Sequence, residues 1–556
     1  MKRTLYILSL LFCVAVSSAQ QGGVKKPLDI PVLLSGNFGE LRSNHFHSGL
    51  DFKTQGAVGK AIYSPFDGYI VRATVTSGGY GKAVYVKHSN GYMTVYGHLD
   101  SFINPVEKAV REYQYSNETF VTDISFPPGE IPVKSGDIIA YSGNSGYSFG
   151  PHLHFELRSA CGDTLYNPLR NYKEFVADNK PPKIHSLLVA PRIGQGSVCG
   201  GGKPLVCTPS SAAVPDTIVA WGVVGISFKA DDYMDNTRNR YGVYRAQLLV
   251  DDSLRFESCM DEFALQHTRC INACIDYGQY SQKNGWYTRT HLLPNNPLGF
   301  LWADDSKGWL NIDEERVYNV ECRIADYHGN VSCSKLVLKG RNSDYALSAD
   351  STFHYLYWYM NNVVECEGMQ LTLPMGQLFE NTLLKVNKVE APGEPSDIYD
   401  FTEYPFVLRE AATLSLTLNG CRKYADEKYY IRNLTDNGEY SMGGRIDNDR
   451  VTATITASGR YAIAVDTVAP QLKAVREKFW SRNRKIVFLL KETGSGLKSF
   501  KGYIDDKFVL FEYNSKNKIL SCNLRLEHLN RGQHTLRLLV ADKAGNECMI
   551  IKNIKY

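Results

Sequence analysis

Two short stretches, far apart in the chain, restrict what it can fold into. His152-Leu153-His154 alternates imidazole, apolar and imidazole. Side chains at i and i+2 share a face on a strand, so a strand here turns both rings toward one site and Leu153 away from it. Asn44-His45-Phe46-His47-Ser48-Gly49-Leu50-Asp51 adds the imidazole of His47 and the carboxylate of Asp51. A His/Asp pair at i, i+4 can sit on one helical face, but Gly49 and the strand-rich surroundings argue for extended or looped backbone. Two histidines and one carboxylate around an open position are a donor set for catalytic zinc. The chain is therefore expected to bring these two stretches together around a Zn²⁺.

Zinc hydrolysis of an amide needs ligands that leave a position for water, a group to move protons, and stabilisation of the oxyanion. His47, Asp51 and one histidine of the 152/154 pair meet the first need. The other histidine of that pair, and His98 in Tyr96-Gly97-His98-Leu99 at the end of an expected strand, can meet the rest. Taken singly, a His-x-His is more often a strand coincidence than a metal site. His45 and His88, beside these motifs, read as loop packing or supporting groups. His267-x2-Cys270-x3-Cys274 lacks a fourth ligand at a known metal spacing.

Between the two stretches the chain reads as short strands broken by turns. Asp67-Gly68, Gly78-Gly79-Tyr80-Gly81 and Ser89-Asn90-Gly91 mark hairpins. Residues 101–132 interrupt this rhythm, with helical character from Pro105 to Tyr115 and a break at Pro127-Pro128-Gly129. Gly143, Gly146 and Gly150 make a flexible loop into His152. Beyond the linker Asn179-Lys180-Pro181-Pro182 the strands continue. Arg323-Ile324-Ala325-Asp326-Tyr327-His328-Gly329-Asn330 is echoed by Leu539-Val540-Ala541-Asp542-Lys543-Ala544-Gly545-Asn546, and Ile226-Ser227-Phe228 by Ile486-Val487-Phe488. These repeats predict related, immunoglobulin-like β-sandwich modules at 181–343 and 468–556, with a third β-rich module at 344–467. The first carries insertions near 190–220 and 258–312.

At 556 residues the chain exceeds a single core. Its 46 glycines and 35 tyrosines fit a mainly β protein. The net charge of +4 is small for this length and no long basic block occurs, which sets nucleic acid aside as a partner. Lys2-Arg3, the apolar run Leu5 to Val16 and Val16-Ser17-Ser18-Ala19 read as a signal peptide over 1–19. The run is shorter than the ~20 residues that span a bilayer, and no later segment is long and apolar enough to do so. Twelve of the 13 cysteines follow that leader, and an even count in an exported chain favours disulfides. Local pairs would be Cys199–Cys207, Cys322–Cys333 and Cys522–Cys548.

His47-Ser48-Gly49-Leu50-Asp51, Tyr96-Gly97-His98-Leu99 and His152-Leu153-His154-Phe155 occur in the order seen in lysostaphin-type (LytM-like) zinc endopeptidases of bacterial cell walls, and residues 34–170 resemble that family. The resemblance implies a duplicated-hybrid-motif antiparallel β domain over 27–175. It assigns His47, Asp51 and His154 to zinc, His152 as base and His98 as transition-state stabiliser. It also implies peptide cross-links or stem peptides of peptidoglycan as substrate. Insertion 101–132 is expected to form a wall of the groove. The tyrosine that some members place before the first ligand has no equivalent among Phe38, Leu41 and Phe46. The expected location is the periplasm, or else outside the cell or at its surface. The β modules would position the enzyme by binding wall or an envelope protein, and would restrain it by covering the groove. The competing readings are a catalytically silent scaffold that binds wall or activates an amidase, and an adhesin.

Overall fold

His152–Ser159 is the strand around which the first domain is built. In the computed structural model, which describes residues 24–208, 217–283, 285–343, 352–524 and 529–556, it pairs antiparallel with Leu50–Lys53 on one side and Tyr92–Gly97 on the other. Lys82–His88, Gly68–Val75 and Thr122–Ser125 follow beyond Tyr92–Gly97, and Leu34–Gly36 lies outside Leu50–Lys53. The strand is buried on both faces. Leu153 and Phe155 are fully buried on one, and His154 and Glu156 are 3% and 0% exposed on the other, so that polar face must find its partners inside the protein. A three-stranded sheet of Ala61–Tyr63, Ile138–Ser142 and Leu99–Phe102 completes the domain. The expected leader over 1–19 lies outside the described residues.

The expected helix forms as Asn104–Ser116, with Pro105 in its first turn and Val106 and Val110 buried. The rest of insertion 101–132 departs from expectation. Its strand Thr122–Ser125 pairs with Arg72–Val75 at the far edge of the sheet, four strands or roughly 19 Å from His152–Ser159 at the usual spacing. The insertion is therefore a remote shelf and not a groove wall. On it rests the C-terminal module: Glu118 accepts from Lys501 at 3.0 Å and Tyr503 at 2.7 Å, and Tyr115 and Phe120 meet Phe508 and Phe500 edge-on or tilted.

The chain is mainly β throughout. After the linker, Lys183–Val198, Thr217–Asp231, Arg245–Val250, Ser253–Cys259, Val317–Ala325 and Val331–Gly340 belong to one sheet. The expected insertion near 258–312 does not stand apart. Its strand Glu262–Ala264 pairs with Thr164–Tyr166 of the first domain, and Phe263 and Phe300 pack on Phe38 and Phe46. Residues 362–465 contribute two five-stranded sheets, and 471–555 two four-stranded sheets. In the last module Ile486 and Phe488 of one sheet share a core with Leu536, Leu538 and Val540 of the other.

The expected disulfides are not formed among the described residues, whose twelve cysteines form no disulfide. Register explains one case: Cys333 stands opposite Arg323, while Cys322 stands opposite Ser334 and is buried where Cys333 is exposed. Cys522 and Cys548 lie in the two different sheets of their sandwich. Cys270 and Cys274 are buried in the apolar core.

Candidate metal centre

Strand pairing assembles the donors. His154 stands directly across from Asp51, and cross-strand partners share a face. His47 enters from the loop before Leu50–Lys53. Its Nε2 lies 3.0 Å from Asp51 Oδ1 and 3.1 Å from His154 Nδ1, and His154 Nδ1 lies 2.9 Å from Asp51 Oδ1. Four-coordinate zinc with bonds near 2.0–2.1 Å sets its ligand atoms roughly 3.3 Å apart, so this triangle is close to the required size.

The tautomers fit a metal as well. His47 Nδ1 lies 2.6 Å from the carbonyl of Asn37; a carbonyl only accepts, so Nδ1–H donates and Nε2 keeps its lone pair. His154 Nε2 lies 2.9 Å from Glu156 Oε1, which leaves Nδ1 as the lone-pair nitrogen. Two lone pairs and a carboxylate oxygen thus converge. These buried groups titrate against one another. Burial holds His47 at about 4. Burial opposes a charged His154 as well, but Asp51 and Glu156 outweigh it and push that ring up to about 9. Burial likewise opposes a charged Asp51, but His47 and His154 hold its carboxyl well below the usual range.

Supporting groups that the sequence reading passed over fix these ligands. Arg42 Nη2 lies 2.6 Å from Asp51 Oδ2 and leaves Oδ1 to face the histidines. Glu156 is held by Arg158, at 2.6 Å from Nε to Oε2, by Tyr80 at 2.5 Å and by Ser48. Tyr80 was read only as part of a glycine turn. Its ring sits 5.2 Å from that of His154. The only signal was an aromatic within Gly78-Gly79-Tyr80-Gly81.

His98 and His152 adjoin the triangle, with ring centroids 4.7 Å apart. His152 Nδ1 lies 2.8 Å from the carbonyl of Gly150, and its Nε2 is 3.6 Å from Asp51 Oδ1. His98 adopts a left-handed backbone, φ 59°, a strained conformation for a histidine, and its Nδ1 lies 2.9 Å from the carbonyl of Ser145. Both rings therefore donate from Nδ1 and leave Nε2 as an acceptor. Burial first, then the neighbouring rings of His154 and His152, lower His98 to about 3, so the resting ring is neutral.

The loops that hold these rings interlock. A Cβ on Gly81 would meet Gly146 N at 2.4 Å, one on Gly146 would meet Gly81 N at 2.3 Å, and both residues have positive φ, so only glycine serves at this contact. The turn at 514–518 of the C-terminal module rests on the same rim. Ser515 Oγ donates to Ser77 O at 2.8 Å, Lys516 Nζ donates to Ser148 O at 3.1 Å, and that ammonium lies 4.3 Å from the Phe149 ring centroid.

His45 is exposed and its Nδ1 faces the carbonyl of Ser43, while His88 is buried against Phe66 and Thr94. Neither joins the triangle.

Residues 45–115 match the model of peptidase family M23, and residues 353–466 match that of the Zu5-like domain. An uncharacterized metalloprotease of Haemophilus influenzae is 32% identical over 123 residues, 22% of this chain and 20% of that protein. The DD-carboxypeptidase/endopeptidase Mpg of Neisseria meningitidis serogroup B is 30% identical over 118 residues, 21% of each chain. The murein hydrolase activator NlpD of Salmonella dublin is 34% identical over 134 residues, 24% of this chain and 28% of that one. The matched segment thus spans 20–28% of the length of these relatives.

Proposed function

We propose that this chain, which carries a peptidase family M23 domain at residues 45–115, is a zinc-dependent endopeptidase that hydrolyses peptide cross-links or stem peptides of peptidoglycan. The observation that carries the reading is the convergence of His47 Nε2, Asp51 Oδ1 and His154 Nδ1 within 3.1 Å of one another, with both rings held in the ligand tautomer. Bound there, Zn²⁺ would supply Lewis-acid polarisation and lower the pKa of water toward ~7.

The chain's own residues do the rest. Gly150 fixes the His152 ring, whose Nε2 accepts the proton of the attacking water and returns it to the leaving amine. His98 begins neutral with Nε2 free. Negative charge developing on the scissile carbonyl raises its proton affinity, so that Nε2 takes up a proton from the solvent and, as imidazolium, donates to that oxygen. Stabilisation by His98 is thus coupled to its gaining a proton. Arg42 keeps Asp51 turned to the histidines throughout. The β modules hold the enzyme in the envelope, in the periplasm, where they offer surface for a protein partner.

A second reading has its own support in the similarity to a murein hydrolase activator: a scaffold that keeps the fold and activates another wall enzyme. Against it stands the full complement of donors and of both flanking histidines. The deciding experiment digests purified peptidoglycan with the mature chain, with and without chelator, beside His154→Ala, and measures bound zinc. Chelator-sensitive release of new amino termini, absent in the variant, is the expected result. Bound zinc without release would overturn it in favour of the activator.

A further inference from the structure

Asp178 and Asp466 occupy the same place in two different parts of the chain. Each stands four residues before a proline, Pro182 or Pro470, that leads into a sandwich module. Each accepts at Oδ1 from the backbone N–H two residues on, Lys180 at 3.1 Å and Val468 at 3.2 Å. Each also accepts, at its backbone carbonyl, from the Nδ2 of an Asp-x-x-Gly-Asn turn, Asn330 at 3.2 Å and Asn546 at 3.1 Å. The turn aspartates, Asp326 and Asp542, close on those asparagines through the backbone N–H at 2.9 and 2.8 Å and Nδ2 at 2.7 and 2.8 Å. A third acid follows the matching strand in each module: Asp232 after Thr217–Asp231, Glu492 after Lys485–Lys491. Asp178, Asp326 and His328 bring ligand atoms within 4.8 Å of one another, and so do Asp466, Glu492 and Asp542.

These acids lack countercharge. Asp178, Asp232 and Asp326 are 7%, 2% and 2% exposed, and Asp466 and Asp542 are 4% and 0%. Among the described residues no lysine or arginine forms an ion pair with any of the six; the nearest cationic candidate is His328, Nδ1 to Asp178 Oδ2 at 3.6 Å. Asp178 Oδ2 and Asp232 Oδ1 are buried without any hydrogen-bond partner. Buried carboxylates are ordinarily paired or bound to metal; at the second junction Ser495 N–H meets Asp466 Oδ2 at 2.7 Å and Gly494 N–H meets Glu492 Oε1 at 2.8 Å, but no lysine or arginine among the described residues neutralises either acid.

We infer that each sandwich module holds one divalent cation of the calcium class at its entry junction, held in the first by Asp178 and Asp326 with the unpartnered Asp232 closing on it, and in the second by Asp466, Glu492 and Asp542. Carboxylate-rich donor sets with backbone carbonyls nearby, His328 being the one ring nitrogen beside the first, suit a hard, oxygen-seeking ion. The ion ties the linker to the strand end and the turn of the following module. At the first junction it fixes that module to the metal centre's domain, and at the second it fixes the module whose turn rests on the rim.

The test uses the full chain, freed of divalent ions with EDTA and dialysed against Ca²⁺, with bound calcium counted by equilibrium dialysis and Tm measured with and without it. Calcium disfavours the nitrogen-rich His47/Asp51/His154 set, so it reports on the junctions. The wild type should bind two equivalents with dissociation constants of about 10⁻⁴–10⁻³ M, as in extracellular modules, and gain several degrees in Tm. Asp232→Asn and Glu492→Gln should each bind one, and the double variant none. Without calcium, Asp232→Asn should melt no lower than wild type, because it removes a charge that has no partner. No calcium bound by the wild type, two equivalents kept by the double variant, uptake of Zn²⁺ but not Ca²⁺ at the junctions, or a variant that unfolds in EDTA would each overturn the inference.

Discussion

Glu156 reaches back along its own strand to hold His154: Oε1 lies 2.9 Å from Nε2, and the far oxygen is anchored by Arg158. The contact fixes which nitrogen of His154 faces Asp51. Carboxylates behind metal-bound histidines typically contribute 10–100-fold to metal affinity or activity. Glu156→Gln keeps the shape and removes the charge, so zinc affinity should fall by about 10- to 100-fold. Competition against a chromogenic chelator measures it. An unchanged affinity would show that Ser48 and Tyr80 suffice to orient the ring.

His152 and His98 flank the triangle without belonging to it. Their replacement by alanine should therefore separate binding from turnover. We expect each variant to retain one zinc and to lose about 10²–10⁴-fold in kcat, with His152→Ala the more severe if its Nε2 is the proposed base. Metal analysis beside kinetics on purified peptidoglycan checks both halves. Loss of zinc from either variant would move that histidine into the ligand set.

How much of this site the sequence disclosed follows from periodicity. His152-Leu153-His154 can point two rings one way only on a strand, and the strand forms. His47 and Asp51 then need only a neighbouring strand, which Leu50–Lys53 provides. The supporting shell was hidden because its members act through space: Arg42, Tyr80 and Arg158 carry no local pattern that ties them to Asp51 or Glu156. The same limit applies to the fold. Alternation and the Asp-x-x-Gly-Asn echo marked the outer modules, but no one-dimensional signal says that Glu262–Ala264 adds a strand to the first domain's sheet.

That added strand changes what a fragment can do. Phe38 and Phe46 are 2% and 1% exposed because Phe263 and Phe300 cover them, and burying a large apolar side chain stabilises by about 1.5–3 kcal/mol. Isolated residues 27–175 should therefore melt well below residues 24–343 and aggregate on concentration. Paired melts of the two fragments decide it. Equal stability would restore the first domain as an autonomous unit.

His88 supplies a pH dependence remote from the triangle. Burial lowers its folded pKa to about 4 from 6.5. Below 6.5 the unfolded chain takes up a proton that the folded chain resists, so stability rises with pH in this window and falls as pH drops from 6.5 toward 4. The slope from one such group reaches at most about 1.4 kcal/mol per pH unit. His88→Gln should flatten the acid limb of a denaturant-stability profile by up to that amount and leave the profile above pH 7 parallel to wild type. An unchanged acid limb would mean that the ring is hydrated in the folded chain.

The turn at 514–518 bears on whether the proposed peptidase is restrained. It touches the two loops that hold the rings of His98 and His152: Ser515 at Ser77, and Lys516 at Ser148 and Phe149. Ser148 in turn lies 3.2 Å from His152 Nδ1 through its hydroxyl, so the turn sits one residue removed from His152. A rim clamped in this way narrows access for a cross-linked polymer far more than for a short peptide. Lys516→Ala combined with Ser515→Ala removes the clamp while leaving the shelf contacts of Glu118 with Lys501 and Tyr503, and so keeps the module docked. Activity on intact peptidoglycan should rise several-fold, and on a soluble muropeptide much less, with zinc content unchanged. Equal gains on both substrates would point to mobility of the His152 loop as the restraint. A loss on both would show that the turn positions the base, and that the module is part of the active enzyme.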